Sequence, residues 1–152
     1  MNVVIRPGRP EEGERLKEIA IGAKGFWGYE AEQVREWGNQ GDFASERLSE
    51  LIVFVAESGG RAIGWASLIP KNEVGWLEDL WIDPTWIGKG VGSLLFRHAA
   101  QHARGLGARR LKWEAEPNAI GFYEKMGGTY VRPSEQTEWG RYLDVMGVEL
   151  DG

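Results

Sequence analysis

The chain contains no cysteine in its 152 residues. This excludes disulfides, thiolate–metal sites and a cysteine acyl-enzyme. Histidine is scarce, with two copies. His98 and His102 stand four apart, but Ala99 occupies the place where a zincin has its Glu, and no carboxylate set completes a site. They read as a polar helix edge, and no metal is expected. Basic residues are in deficit: 18 Lys and Arg against 23 Asp and Glu leave a net charge of −5. That argues against a nucleic-acid partner, whose usual footprint is a basic patch. It leans toward cationic partners such as amines, beside the plainer alternative of a generic acidic surface. No run approaches the ~20 apolar residues of a membrane span, and residues 1–6 are too short in apolar length for a signal peptide. There is no G-x-S-x-G, no G-x-G-x-x-G and no G-x-x-x-x-G-K-S/T. A cytoplasmic enzyme or binding domain without a membrane partner is the expectation.

What is present supports a substantial core: 42% hydrophobic residues and eight Trp, in a length suited to one domain over residues 1–152. Residues 3–6 read as a strand, broken by Pro7 and Gly8, and Pro10, Glu11 and Glu12 open a helix with Leu16, Ile19, Ala20 and Ala23 on its buried face. Glycines and aromatics over 25–29 interrupt it. Val34 and Trp37 suggest a second helix ending near Gly38, and residues 43–48 a looser helical piece. Residues 51–56 and 62–69 form a hairpin about Gly59 and Gly60, with Gly64 a bulge candidate. A third strand, 77–83, completes an antiparallel meander. A helix then runs to Gly105 or Gly107. The strand 110–115 should lie parallel to its predecessor, because a helix crosses between them. A short helix over 117–126 stops at Gly127 and Gly128, and strands over 129–132 and 142–150 close the sheet.

The stretch 77–95 organises the rest. A short apolar strand leads through Asp83 and Pro84 into Ile87, Gly88, Lys89, Gly90, Val91, Gly92 and Ser93, then into helical spacing at Leu94, Leu95 and Ala99. A helix N-terminus behind a glycine-rich loop offers free N–H groups and the positive end of a dipole, which suits a phosphate. The plain alternative is a tight turn that packs a helix on a sheet.

This stretch resembles the acetyl-CoA-binding motif of the GNAT superfamily of N-acyltransferases, in which a strand ending in an aliphatic residue and x-Pro leads to Q/R-x-x-G-x-G/A. Its glycines fall on Gly90 and Gly92, and Ile87 stands at the Gln/Arg position. Residues 116–128 resemble a second family motif, N-x-x-A-x-x-F-Y-E-K-x-G-F, with Asn118, Phe122 and Tyr123 in register and Gly128 where the family often has Phe. Two motifs in the right order, with a helix and a strand between them, are far more specific than either alone. The resemblance covers the whole chain and looks like the small bacterial single-domain type. It implies the GNAT acyl-CoA N-acyltransferase fold: α/β (α+β), with a mixed, mostly antiparallel central sheet flanked by helices.

The resemblance further implies acyl transfer from acetyl-CoA to a primary amine on a small molecule or peptide; a homodimer stays open. Coenzyme A would lie on Ile87, Gly88, Lys89, Gly90, Val91, Gly92 and Ser93. Its thioester would meet a backbone N–H among Leu80, Trp81 and Ile82, with Asn118 on the pantetheine arm and Phe122 and Tyr123 beside the cofactor. Helix capping is an equally good use of Asn118, and a plain role of closing the helix onto the sheet fits Phe122 better than Tyr123. With no acyl-enzyme nucleophile, direct attack in a ternary complex is the natural mechanism. An ammonium of pKa about 10.4 is only about 0.1% neutral at pH 7.4, so a base is needed. Glu78, charged within an apolar strand, is the first candidate, directly or through water; Asp79, on the other sheet face, is second. Either carboxylate has a plain alternative role, pairing with an Arg or a backbone N–H. Tyr123 would protonate the departing thiolate. Trp27 and Tyr29, with Trp65, Trp76 and Trp139, offer an aromatic pocket for the amine, although so many Trp residues also suit packing. A non-catalytic acyl-CoA-binding or interaction domain on the same fold is the alternative.

Overall fold

The computed structural model of the chain describes residues 2–40, 50–136 and 140–150. Among the described residues the strands are β1 (Val4–Pro7), β2 (Ile52–Ser58), β3 (Arg61–Lys71), β4 (Val74–Ile82), β5 (Arg110–Ala115), β6 (Thr129–Pro133) and β7 (Asp144–Glu149). They form one sheet in the order β1-β2-β3-β4-β5-β7-β6. The α-helices are α1 (Gly13–Phe26), α2 (Ala31–Gln40), α3 (Val91–Gly105) and α4 (Ile120–Lys125). Short 3₁₀ turns at Pro10–Glu12, Pro84–Trp86 and Pro117–Ala119 each begin with proline, whose fixed φ suits the first position of a helical turn. The helical piece expected over residues 43–48 lies outside the described residues. Among the described residues, no helix is long and apolar enough to cross a membrane.

The chain divides into two compact units, Met1–Ser67 with Asp79–Ala99, and Leu68–Glu78 with Ala100–Gly152. In the first, α1 buries Leu16, Ile19, Ala20 and Ala23, the i, i+3, i+4, i+7 stripe of its sequence. Leu16, Ile19 and Ala20 pack with Val55, Ala62 and Trp65, flanked by Trp37, Leu51, Val53 and Trp81. The Trp65 indole donates to the Leu16 carbonyl at 2.9 Å, so the largest buried side chain there leaves no stranded donor. β1 pairs antiparallel with β2. β3 is buried without interruption from Ala62 to Leu68, as a strand covered on both faces must be. Gly64 owes its place to close approach. A Cβ there would sit 3.1 Å from Ile82 Cδ1, 3.2 Å from Leu95 Cδ1 and 3.2 Å from the Trp81 carbonyl.

In the second unit, β4 residues Val74, Gly75 and Trp76 pair in parallel with β5, as the intervening helix led us to expect. β7 then inserts between β5 and β6, antiparallel to both, and a register shift falls at Tyr130/Arg132 on β6. β5 alternates strictly: Leu111, Trp113 and Ala115 are buried. The Trp113 ring fills the space beside Gly128, where a Cβ would lie 2.7 Å from Trp113 Cζ2 and 2.9 Å from the Tyr123 carbonyl. The space that a side chain at 128 would need is therefore taken by a Trp from β5. Gly128→Ala should accordingly cost about 1–3 kcal/mol through overpacking, read as a lower urea midpoint at unchanged slope.

Candidate active site

The first unit supplies the glycine loop. Asp83, at the end of β4, accepts from the Thr85 N–H at 3.0 Å, the Thr85 hydroxyl at 2.8 Å and Arg15 Nη2 at 2.8 Å. Burial works against its charge, but the Thr85 N–H and the Arg15 guanidinium outweigh that and hold the carboxyl below its usual range. The turn at Pro84–Trp86 is capped by this side chain. Ile87 is extended, Gly88 and Gly90 take φ +83° and +86°, and α3 starts at Val91. Only glycine adopts that left-handed backbone cheaply. Among the described residues, apart from the glycines' own chain neighbours, no atom lies within 4 Å of where a Cβ would stand at either glycine, so the space beside the loop is open.

The first bond at the head of α3 runs from the Leu94 N–H to the Gly90 carbonyl at 3.2 Å. The N–H groups of Val91, Gly92 and Ser93 precede it and point ahead of the helix. Val91 is buried and pins the start, while Lys89 stacks over the Trp86 ring, 5.3 Å from its centre. An open, left-handed glycine loop ahead of free helical N–H groups suits a pyrophosphate. Ile87 is half-buried and adds no polar atom.

On the same unit, Asp79 accepts from the buried Ser67 hydroxyl at 2.6 Å and from Trp81 Nε1 at 3.1 Å, so each of its oxygens holds a neighbour in place. Trp81 in turn packs edge-on against Trp37, with ring centres 5.3 Å apart. Leu80 and Ile82 are half-buried beside it. Of the aromatics expected around the amine, Trp27 stands edge-on to Phe26, Tyr29 faces Lys24, Trp65 lies in the core, and Trp139 falls outside the described residues. Trp76, half-buried on β4, belongs to the second unit.

The second unit carries Glu78, exposed on β4, together with Asn118, Phe122 and Tyr123. Glu116 caps the turn at Pro117–Ala119. Its Oε1 accepts from Asn118 Nδ2 at 2.9 Å, so this carboxylate orients the Asn side chain. Tyr123 is buried and lies against Trp113 with ring centres 4.9 Å apart, whereas Phe122 is half-buried and meets Tyr123 edge-on at 5.2 Å. The packing role expected of Phe122 is thus shared by Tyr123, whose ring closes α4 onto β5. Burial, reinforced by the Glu116 charge, pushes the Tyr123 hydroxyl well above its ordinary pKa and keeps it protonated.

Glu116 escaped the sequence reading although it adjoins Asn118; its signal was a carboxylate immediately before a proline-started turn. Trp37 was legible only through the spacing of α2, and nothing in the spacing of α1 marked Lys24. His98 packs edge-on against Phe54 at 4.7 Å. Among the described residues, no group of three or more Asp, Glu or His side chains gathers as a metal site would require.

The GNAT acetyltransferase family model matches residues 14–128. The chain belongs to the GNAT acetyltransferase family, a family of acyltransferase enzymes. It is 32% identical over 150 residues to the peptidyl-lysine N-acetyltransferase YjaB of Salmonella typhimurium, covering 93% of each chain. It is 33% identical over 84 residues to an uncharacterized N-acetyltransferase of Methanocaldococcus jannaschii, covering 49% of this chain and only 37% of that protein. The GNAT fold recurs in the Thermoplasma acidophilum PaiA N-acetyltransferase, solved in complex with coenzyme A. There the TM-score is 0.81 at 21% identity, over 98% of this chain and 99% of that one. The mixed, mostly antiparallel sheet flanked by helices is the GNAT architecture.

Because the folded carboxyl of Asp83 is depressed, its stabilisation is fully present above the ordinary carboxylate range and is lost as pH falls through the folded value. Asp83→Asn should cost about 1 kcal/mol at neutral pH. In urea titrations the gap from the unsubstituted chain should close as pH drops from about 5 toward 2.

Proposed function

We propose that this protein transfers an acetyl group from acetyl-CoA to a primary amine by direct attack in a ternary complex. The observation that carries the reading is the open left-handed loop at Gly88 and Gly90, running into the first turn of α3, whose leading N–H groups have no partner within the helix. Acetyl-CoA supplies the activated acyl group. The chain's own groups would do the rest. Residues 88–93 bind the pyrophosphate, and a backbone N–H of β4 near Leu80, Trp81 or Ile82 polarises the thioester carbonyl. Asn118, aimed by Glu116, holds the pantetheine arm.

Glu78 takes the ammonium proton directly or through a water, its exposure keeping it open to solvent exchange. Asp79 is the weaker candidate, since its oxygens already hold Ser67 and Trp81. Tyr123 returns a proton to the thiolate. Its raised pKa makes it a reliable donor store but a reluctant acid, so transfer is favoured only as negative charge builds on a sulfur shielded from water. A lysine-type amine is the acceptor best supported, because the relative matched along nearly its whole length is named a peptidyl-lysine N-acetyltransferase.

Acetyl-CoA at 100 times its Kd should stabilise the fold by about 2.7 kcal/mol, seen as a raised Tm. Gly90→Val should abolish that shift, and no shift with the unsubstituted chain would remove the reading altogether. A shift without thiol release across a panel of amines would instead indicate an acyl-CoA-binding domain.

The proton transfers are tested separately. Tyr123→Phe keeps the ring and should lower kcat by about 10²–10⁴-fold. Glu78→Gln should move or erase the acidic limb of the pH–rate profile. An unchanged limb would exclude Glu78 as the base.

A further inference from the structure

We infer that the rings of Tyr29, Trp37 and Trp81 form a binding site for an organic cation carried by the acceptor, and that Lys24 is its resident occupant, displaced when the acceptor arrives. The word acceptor rests on the acetyl-transfer reading; the cation site itself rests on geometry. Lys24 Nζ lies 5.0 Å from the centre of the Trp37 ring, 5.4 Å from Tyr29 and 5.5 Å from Trp81. A cation within about 6 Å of an aromatic face is held by the ring quadrupole, and such pairs occur about once per 70–80 residues. Here three converge on one atom, from rings on the segment after α1, on α2 and on β4.

Two of the three rings have supports other than the lysine. Trp81 is held through its indole N–H by Asp79, which is itself held by the buried Ser67, and Trp37 leans edge-on against Trp81. The wall formed by Trp37 and Trp81 therefore has its own supports when the occupant leaves. Lys24, Tyr29, Trp37 and Trp81 are all half-buried, so a cation can reach the box from solvent. Its location gives it a use, because Trp81 is the residue between Leu80 and Ile82, the backbone proposed to meet the thioester.

Leaving the box has a physical return for Lys24. Its ammonium is compact and strongly hydrated on a flexible stem, so leaving the box restores both its hydration and its rotamer freedom. A cation tethered to an acceptor is held by the rest of that molecule and takes the place over. The rings favour acceptors that bring a second positive charge or an alkylammonium group over neutral amines, and the lysine acts as an internal competitor that weakens the binding of every such cation.

Calorimetric titration with choline, set against its uncharged carbon isostere, tests the site without any acetyl transfer. The proteins compared are the unsubstituted chain, Lys24→Met, and Lys24→Met combined with Trp37→Leu or, separately, with Tyr29→Leu. Lys24→Met retains the stem and should bind choline about two- to fivefold more tightly. The isostere should gain nothing, and either ring substitution should remove the gain in a protein whose circular dichroism is unchanged. Under turnover, Lys24→Met should lower KM for a diamine by about the same factor and leave a monoamine unaffected. Choline affinity that does not rise in Lys24→Met, or an equal gain by the isostere, overturns the site. A raised KM for acceptors bearing a carboxylate or phosphate would overturn it in favour of Lys24 as an anion contact. Loss of the acetyl-CoA melting shift would defeat the transfer reading while leaving the calorimetric result to stand or fall by itself.

Discussion

The left-handed backbone at Gly88 and Gly90 is the constraint on which the candidate site depends. Without it β4 cannot turn into α3 with the helix N-terminus bare. The turn is held from both sides. Asp83 ties its first residues through Thr85 and Arg15, and buried Val91 anchors the other end. Between these supports, the Cβ positions of Gly88 and Gly90 face open space among the described residues, which leaves room for a ligand's phosphates beside the glycine backbone. Rigid flanks around an open loop are what a site needs when main-chain N–H groups do the binding.

The carboxylates show how environment divides labour among chemically similar groups. Asp83 is held ionised by a guanidinium and a backbone N–H and serves architecture. Asp79 spends one oxygen on Ser67 and the other on Trp81, and so sets the position of an aromatic wall. Glu116 orients Asn118 and adds its charge to the burial that keeps Tyr123 protonated. Glu78 is the exposed member of this set. Adjacent residues on a strand face opposite ways, and that alone separates Glu78 from Asp79.

The local rules read well because they are short-range. The α1 stripe at Leu16, Ile19, Ala20 and Ala23, the turn at Gly59 and Gly60, the parallel relation of β4 and β5, and the glycine loop all follow from periodicity, turn chemistry or chain connectivity. Gly64 was legible as special, as a bulge candidate, but the close packing around it was not. Its role depends on Ile82, Leu95 and Trp81, residues distant in sequence whose approach no local pattern reveals.

The sequence by itself determined the family, the fold class and the backbone that is fitted to hold a pyrophosphate, since two motifs with fixed spacing dictate where the chain must turn and which residues line that turn. Only the tertiary structure decided that β7 inserts between β5 and β6, that Trp113 takes the space beside Gly128, and that Lys24, Tyr29, Trp37 and Trp81 converge. These are pairings between segments far apart in sequence. Strand order and ring convergence are set by which burial arrangement is lowest in free energy, and that is a property of the packed whole.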